Sequence, residues 1–474
     1  MPLQSLPNEL LGECFAYLET SKPVIKSLRL VSKRIHALSS PYLLTHFRIS
    51  FDRQSAQDLD FIAKHPIFSR SISSVSIDVS YYDRILAESL RRFAEHSSTE
   101  LYYKIEVMER TVRLRQFGSP EQHDSLLNAF CIIDQWEAVV RPDWGNTPEE
   151  AITEYQKLLL STHGKYVELF TEQEKIMAEE GHFNRLIAAF QGFNNLKKIV
   201  IEDYRRKKLK KFDVAGRLSH EGLEAECLEK SRWKGSFRTA MDTQQPMHLI
   251  ARLFKGLAGT SIRPQIFEIN LTAPADMRCI NLSTPALDAV CKTLSRAERC
   301  YLSIKDWQRR GSLVEDIDRS AEELIGLCNL TTAFFSSKYL KEMHLGLDDY
   351  PAFGEFPQMA LPELVKLPLN APSLSRVYFR NVPLRLEDIR EFVTSTKELE
   401  WLNLYNPYLL SGTWVEALDA LRKLEKLSHV EMKSPRGCEF GVWREQDPPE
   451  EEVLAKYILR ESEKNPLIGW ADVV

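Results

Sequence analysis

The chain has 474 residues, enough for several domains or one extended array, and its 43% hydrophobic and 27% charged residues are ordinary for a globular protein. A net charge of −5 gives no general pull toward nucleic acid, and no apolar run approaches the roughly 20 residues that a bilayer crossing needs. The amino end lacks a basic start followed by a long apolar core, and the eight scattered cysteines form no CxxC pair, so a reducing cytoplasmic or nuclear compartment is expected.

The first 44 residues form one compact helical pattern. Pro7 suits the first helical position, where its missing N–H costs nothing, and Glu9 suits the positive end of the helix dipole. Leu10, Leu11, Cys14, Phe15 and Leu18 recur at helical spacing and predict one apolar face. Thr20, Ser21 and Pro23 open a second helix, with Leu28 and Val31 on its stripe. Ser32 is a candidate N-cap before Lys33, Arg34, Ile35 and Leu38, and Ser40-Pro41 repeats the signal. Three short helices in about 40 residues bury their apolar side chains poorly alone, so a surplus is left for a cover.

After this segment one phrase recurs: an apolar residue, two variable ones, apolar, one variable, apolar. It reads Ile72-Val75-Ile77, Leu196-Ile199-Ile201, Ile266-Ile269-Leu271 and Ala297-Cys300-Leu302. It continues as Leu340-Met343-Leu345, Leu374-Val377-Phe379, Leu399-Leu402-Leu404 and Leu427-Val430-Met432. Alternation predicts strands, and helical returns such as Leu384, Leu386, Ile389, Phe392 and Val393 between them require a parallel sheet. The last units repeat at 25 and 28 residues, the spacing of one strand plus one helix. Residues 120–192 interrupt the array and predict long amphipathic helices, with breaks at Gly164 and Gly181. Near the end, Val453, Tyr457, Ile458 and Leu459 predict a capping helix over about 450–464.

Strand parity predicts a second surface. If Val377 and Phe379 point to the core, Arg376, Tyr378 and Arg380 point out, and Leu402 and Leu404 likewise expose Trp401, Asn403 and Tyr405. The same rule exposes His344 beside Met343 and His429 beside Val430. Tyr, Trp and Arg dominate interface energetics, so this row is a candidate partner site.

No catalytic pattern stands out. There is no HExxH, GxSxG or phosphate-cradling GxxxxGK, and the eleven histidines do not cluster with cysteines, so no metal or cofactor is expected. His220-Glu221 lacks the second histidine of a zinc-protease motif. The basic run from Arg205 to Lys211 is either a solvated face, a nuclear localisation signal or an anion-binding patch, and without interleaved aromatics it argues little for nucleic acid.

The amino-terminal order, Leu6-Pro7, Leu10, Phe15, Leu18, Leu28 to Arg34, Leu38 and Pro41, resembles the F-box. The family often carries Trp after the Lys-Arg pair, where Ile35 stands here. With the repeat array and the Trp443-to-Pro449 loop before the last helix, the chain resembles fungal F-box/leucine-rich-repeat proteins. The resemblance implies an α/β fold. Residues 1–48 would be an F-box-like unit and 49–474 an irregular leucine-rich-repeat-like array. It implies a substrate receptor of a Skp–cullin–F-box ubiquitin ligase, without catalysis of its own. Leu6, Pro7, Leu10, Phe15, Leu18, Leu28, Val31 and Leu38 would form the face for a Skp-type adaptor, and through it cullin, or would support that face. Arg376, Tyr378, Arg380, Trp401, Asn403 and Tyr405 would take a protein substrate. The alternative is an interaction scaffold outside any ligase.

Overall fold

The computed structural model describes residues 5–114, 120–203, 218–231, 247–273, 280–305, 320–348, 371–441, 449–468 and 470. The amino-terminal unit consists of α1 (Asn8–Tyr17), α2 (Lys22–Leu28) and α3 (Lys33–Ser39), followed by a 3-10 turn (Ser40–Leu43). Pro7 is the N-cap of α1, one position earlier than expected, and its carbonyl accepts from Leu11 N at 3.1 Å. Ser32 caps α3 as expected, its hydroxyl accepting from Ile35 N at 3.2 Å. Leu11, Phe15, Ile25 and Ile35 form a small core of their own, ringed by Leu6, Leu18, Leu28, Leu38, Tyr42 and Leu43. Ile35 is fully buried in that core. Arg34 ties the start of α1 to α3, donating to Asn8 Oδ1 and to Leu6 O.

The rest is built on an open parallel sheet of nine strands in the order β1-β2-β3-β4-β5-β6-β7-β9-β11. Its strands are β1 (His46–Ser50), β2 (Ser74–Asp78), β3 (Lys198–Glu202), β4 (Ile266–Thr272), β5 (Arg299–Lys305), β6 (Glu342–Asp348), β7 (Arg376–Arg380), β9 (Trp401–Tyr405) and β11 (His429–Lys433). Each strand of this sheet lies beside its predecessor in the chain. All eight phrases of the sequence become strands. The sheet begins at β1, whose first residues precede the boundary expected at residue 48.

Successive parallel strands need crossovers of one hand, which brings the return helices to the same face of the sheet. The register confirms a one-sided core. Phe47, Val75, Ile199, Phe267, Cys300, Met343, Val377, Leu402 and Val430 form one row across all nine strands. Ile49, Ile77, Ile201, Ile269, Leu302, Leu345, Phe379, Leu404 and Met432 form the next, and every member of both rows is buried. Each large side chain so buried contributes about 1.5–3 kcal/mol against an exposed reference.

The helices between the strands are α4 (Arg53–Lys64) and α5 (Phe68–Ser71) between β1 and β2, then α6 (Arg84–Glu88), α7 (Leu90–Leu114), α8 (Pro120–Ala138), α9 (Glu154–Ala178) and α10 (Glu180–Gly192) between β2 and β3. Further along come α11 (His220–Cys227), α12 (Met247–Ala258), α13 (Thr284–Leu294), α14 (Ala321–Phe334), α15 (Leu386–Ser395), α16 (Trp414–Leu421) and α17 (Glu451–Ile458). The helical insertion starts well before residue 120. Its helices α6 to α9, with α11, enclose a separate core around Phe93, Ile105, Ile132, Trp136, Leu159 and Tyr166. Gly164 does not break a helix. It lies inside α9, whose capping box of Thr153 and Gln156 starts a 25-residue run, and the break falls at Glu179. Helix α10 belongs to the main array, since Phe183, Leu186 and Phe190 join the sheet core.

The last units share a turn. Asn381, Asn406 and Ser434 follow β7, β9 and β11 with φ of 52°, 48° and 49°. Asn381 N donates to Tyr405 O and Asn406 N to Lys433 O, both at 2.8 Å, and Asn406 Nδ2 reaches Asn381 Oδ1 at 2.9 Å. Asn tolerates this left-handed conformation better than most residues. Beyond the turn, β8 (Pro383–Arg385) and β10 (Tyr408–Ser411) pair as a second, two-stranded parallel sheet. Helix α17, shorter than the span expected for the cap, packs against β11 and α16, and Asn465 Nδ2 anchors the following turn to Val415 O at 3.0 Å and Asp419 Oδ1 at 2.8 Å.

Candidate interaction surfaces

The amino-terminal unit divides its apolar residues between a core and an outer face. The single face expected on α1 is split: Leu11 and Phe15 are buried, whereas Leu10 is 46% exposed and Cys14 is exposed. Pro7, Leu10, Cys14 and Tyr17 fall on one stripe of α1 by helical spacing, and all four face solvent. Helix α2 ends at Leu28, so Val31 lies in the turn beyond it, 52% exposed, beside Leu30 at 88%. Leu6, Leu18, Leu28 and Leu38 are half-buried and support the core. Of the expected docking residues, Pro7, Leu10 and Val31 are therefore free to touch a partner, and Phe15 is internal. Tyr17 and Leu30 escaped the sequence argument, although Tyr17 continues the Leu10–Cys14 spacing.

The second surface is the uncovered face of the sheet. One register row reads Arg299, Glu342, Arg376, Trp401 and His429 across β5 to β11, and the row two residues on reads Tyr301, His344, Tyr378, Asn403 and Glu431. A third brings Ser303, Gly346, Arg380, Tyr405 and Lys433 together. Parity thus places all six expected substrate residues on this face. Arg376 and Arg380 are exposed, Tyr378, Trp401 and Asn403 are half-buried, and Tyr405 is 38% exposed. Among the described residues no part of the chain closes over them completely. Tyr301 joins them, and the same parity rule applied to β5 would have found it.

Rings and cations on this face stack across strands. His429 lies 3.6 Å from Trp401 between ring centroids, at 27°, and the Arg376 guanidinium sits 5.8 Å from the same indole. His344 stacks on Tyr378 at 5.7 Å and 16°, and Arg380 lies 4.9 Å from the Tyr405 ring. Such contacts hold side chains in one pose and so lower the entropy lost on binding. The Trp401 Nε1–H is buried in this stack with no acceptor among the described residues. Partial burial pushes the Tyr378 phenol up, and burial together with the Glu342 carboxylate raises that of Tyr301.

The carboxylates of the face are already paired. Glu342 accepts from Tyr301 Oη at 2.7 Å and lies 3.7 Å from Arg299, while Glu431 is held by Asn403 and Lys433. At the other end of the sheet Arg48 bridges Asp78 and Glu202, each at 2.9 Å, and Lys198 meets Glu268 at 2.6 Å. Burial raises Glu202 above the usual carboxylate range despite Arg48.

The basic run from Arg205 to Lys211 lies outside the described residues. Among the described residues no group of His, Cys, Asp and Glu is arranged to hold a metal, and no helix is long and apolar enough to cross a membrane. No known family model matches the chain, and a search of curated proteins gives no significant match.

Proposed function

We propose that the protein is a recruiter: residues 1–48 act as an F-box that binds a Skp-type adaptor, and through it cullin, while the leucine-rich-repeat-like array holds a protein substrate. The observation that carries this reading is the division of labour in the amino-terminal unit. Its core is complete without Leu10, Leu30 and Val31, which nevertheless stay in water. Large apolar side chains left in water on so small a unit are what a protein interface would cover, if they form one patch. The substrate side rests on the row of Arg, Tyr and Trp on the open sheet face. The receptor does no chemistry in this reading. It raises the effective concentration of substrate beside a ubiquitin-loaded enzyme.

The test is co-purification of adaptor and cullin with the full chain and with a Leu10→Asp, Val31→Asp double variant. Both positions are exposed, so the fold should persist. Loss of both partners in the variant supports the ligase reading. Adaptor without cullin in the wild type favours an interaction scaffold, and neither partner in the wild type overturns the F-box assignment.

A further inference from the structure

We infer that the Arg376–Trp401–His429 strip of the open sheet face binds an acidic, extended segment of the partner protein, engaging its Asp and Glu carboxylates. The inference rests on the recruiter reading and names the chemistry of its substrate side. It starts from an imbalance. Every carboxylate in the three register rows of β7, β9 and β11 belongs to Glu431, and that group is consumed by Asn403 and Lys433. Glu342, next along the first row, is consumed by Arg299 and Tyr301. Arg376 stands between these two pairs with no carboxylate partner among the described residues; its guanidinium rests over the Trp401 indole. Stacking leaves the N–H edge of a guanidinium available, and that edge matches a carboxylate in fork geometry. The next register position beyond Trp401 is His429, a further nitrogen donor or acceptor in ring contact with the same indole.

The surroundings favour a peptide over a small anion. Tyr378, Tyr405 and His344 extend the strip as a sheet of flat rings, which suits side chains of an extended chain. Gly346 leaves the floor low between Ser303 and Arg380: a Cβ there would find its nearest neighbours only at 3.6–3.7 Å. Among the described residues at the opposite end of the sheet, Arg48 is committed to two carboxylates and Lys198 to a third. Among the described residues the Arg376 strip is therefore the better placed to meet an acidic segment. The chain as a whole carries −5, so the attraction is local to this strip.

The experiment uses the full chain on an array of random-sequence decapeptides, with a phosphoserine-containing set printed alongside. Peptides retained by the wild type are expected to be at least threefold enriched in Asp and Glu, and 300 mM salt should erase most of that enrichment. Arg376→Glu should reverse the charge preference, and Arg376→Gln should abolish it. Both substitutions are at an exposed position, and an unchanged melting temperature excludes unfolding. The inference is overturned if the retained peptides are neutral or basic, if only phosphoserine peptides are retained, or if Arg376→Glu keeps the acidic preference. Adaptor binding by the Arg376→Glu protein is measured in parallel. Its persistence separates failure of this inference from failure of the recruiter reading.

Discussion

The His429 imidazole lies face to face with the Trp401 indole, 3.6 Å between centroids, although the two residues sit on different strands. The contact exists because β9 and β11 pair in parallel register and place both side chains on the uncovered face. Trp401→Ala removes the central ring of the strip without touching the core rows beneath it. Stability should change by less than about 1 kcal/mol, while affinity for a cognate partner should fall about tenfold or more, as for an interface anchor. Urea melts and a binding titration on the same protein check both halves. A large loss of stability would mark the indole as structural.

Asp83 predicts a pH effect on folding. Its Oδ1 caps Ile85 N at 2.9 Å, its Oδ2 is buried without a partner among the described residues, and burial raises its pKa above 3.8. A carboxyl raised in the folded state holds its proton after the unfolded chain has released it. The folded state therefore loses relative stability as pH climbs from about 4 through the folded pKa. Asp83→Asn keeps the capping oxygen and removes the titration. Its melting temperature should be less sensitive to pH over that window, and at neutral pH it should equal or exceed the wild type.

Gly412 is required by two independent constraints. Its φ is +84°, and a Cβ there would lie 2.6 Å from Leu386 Cβ at the start of α15. Gly412→Ala should destabilise the carboxy-terminal units by about 1–3 kcal/mol. Hydrogen exchange should place the loss in β8, β10 and α15. Unchanged protection there would contradict the account.

Phe15 and Leu30 should behave oppositely. Phe15 is 1% exposed at the centre of a four-residue core, so Phe15→Ala should cost about 3–5 kcal/mol and melt the amino-terminal helices. Leu30 is 88% exposed, and Leu30→Asp should leave those helices intact by hydrogen exchange.

The array was legible because its signal is local and repeated. Each strand buries at least two residues at period two, and the triplets ending at Ile77, Leu345 and Met432 read the same wherever they occur. β1 carries the same phrase, Leu44-Phe47-Ile49, but it follows so directly on the helical unit that Leu44 reads as the end of that unit; the structure packs Leu44 against the sheet core instead. Helix α7 escaped notice because its face packs into the insertion's own core through Phe93 and Ile105, which are separated by polar residues. The split of α1 into Leu11 and Phe15 inside and Leu10 and Cys14 outside depends on where α2 and α3 lie, which spacing does not encode. The β8–β10 sheet depends on left-handed Asn381 and Asn406, a backbone choice that a residue name only permits.

In the proposed function, the apolar residues left in water at the amino end are a docking face. Calorimetric titration of the full chain with a purified Skp-type adaptor tests it most directly, comparing wild type with Leu30→Asp. The account predicts saturable binding by the wild type and at least a hundredfold weakening in the variant, with equal melting temperatures. No binding by the wild type, or equal affinity in both, would contradict it.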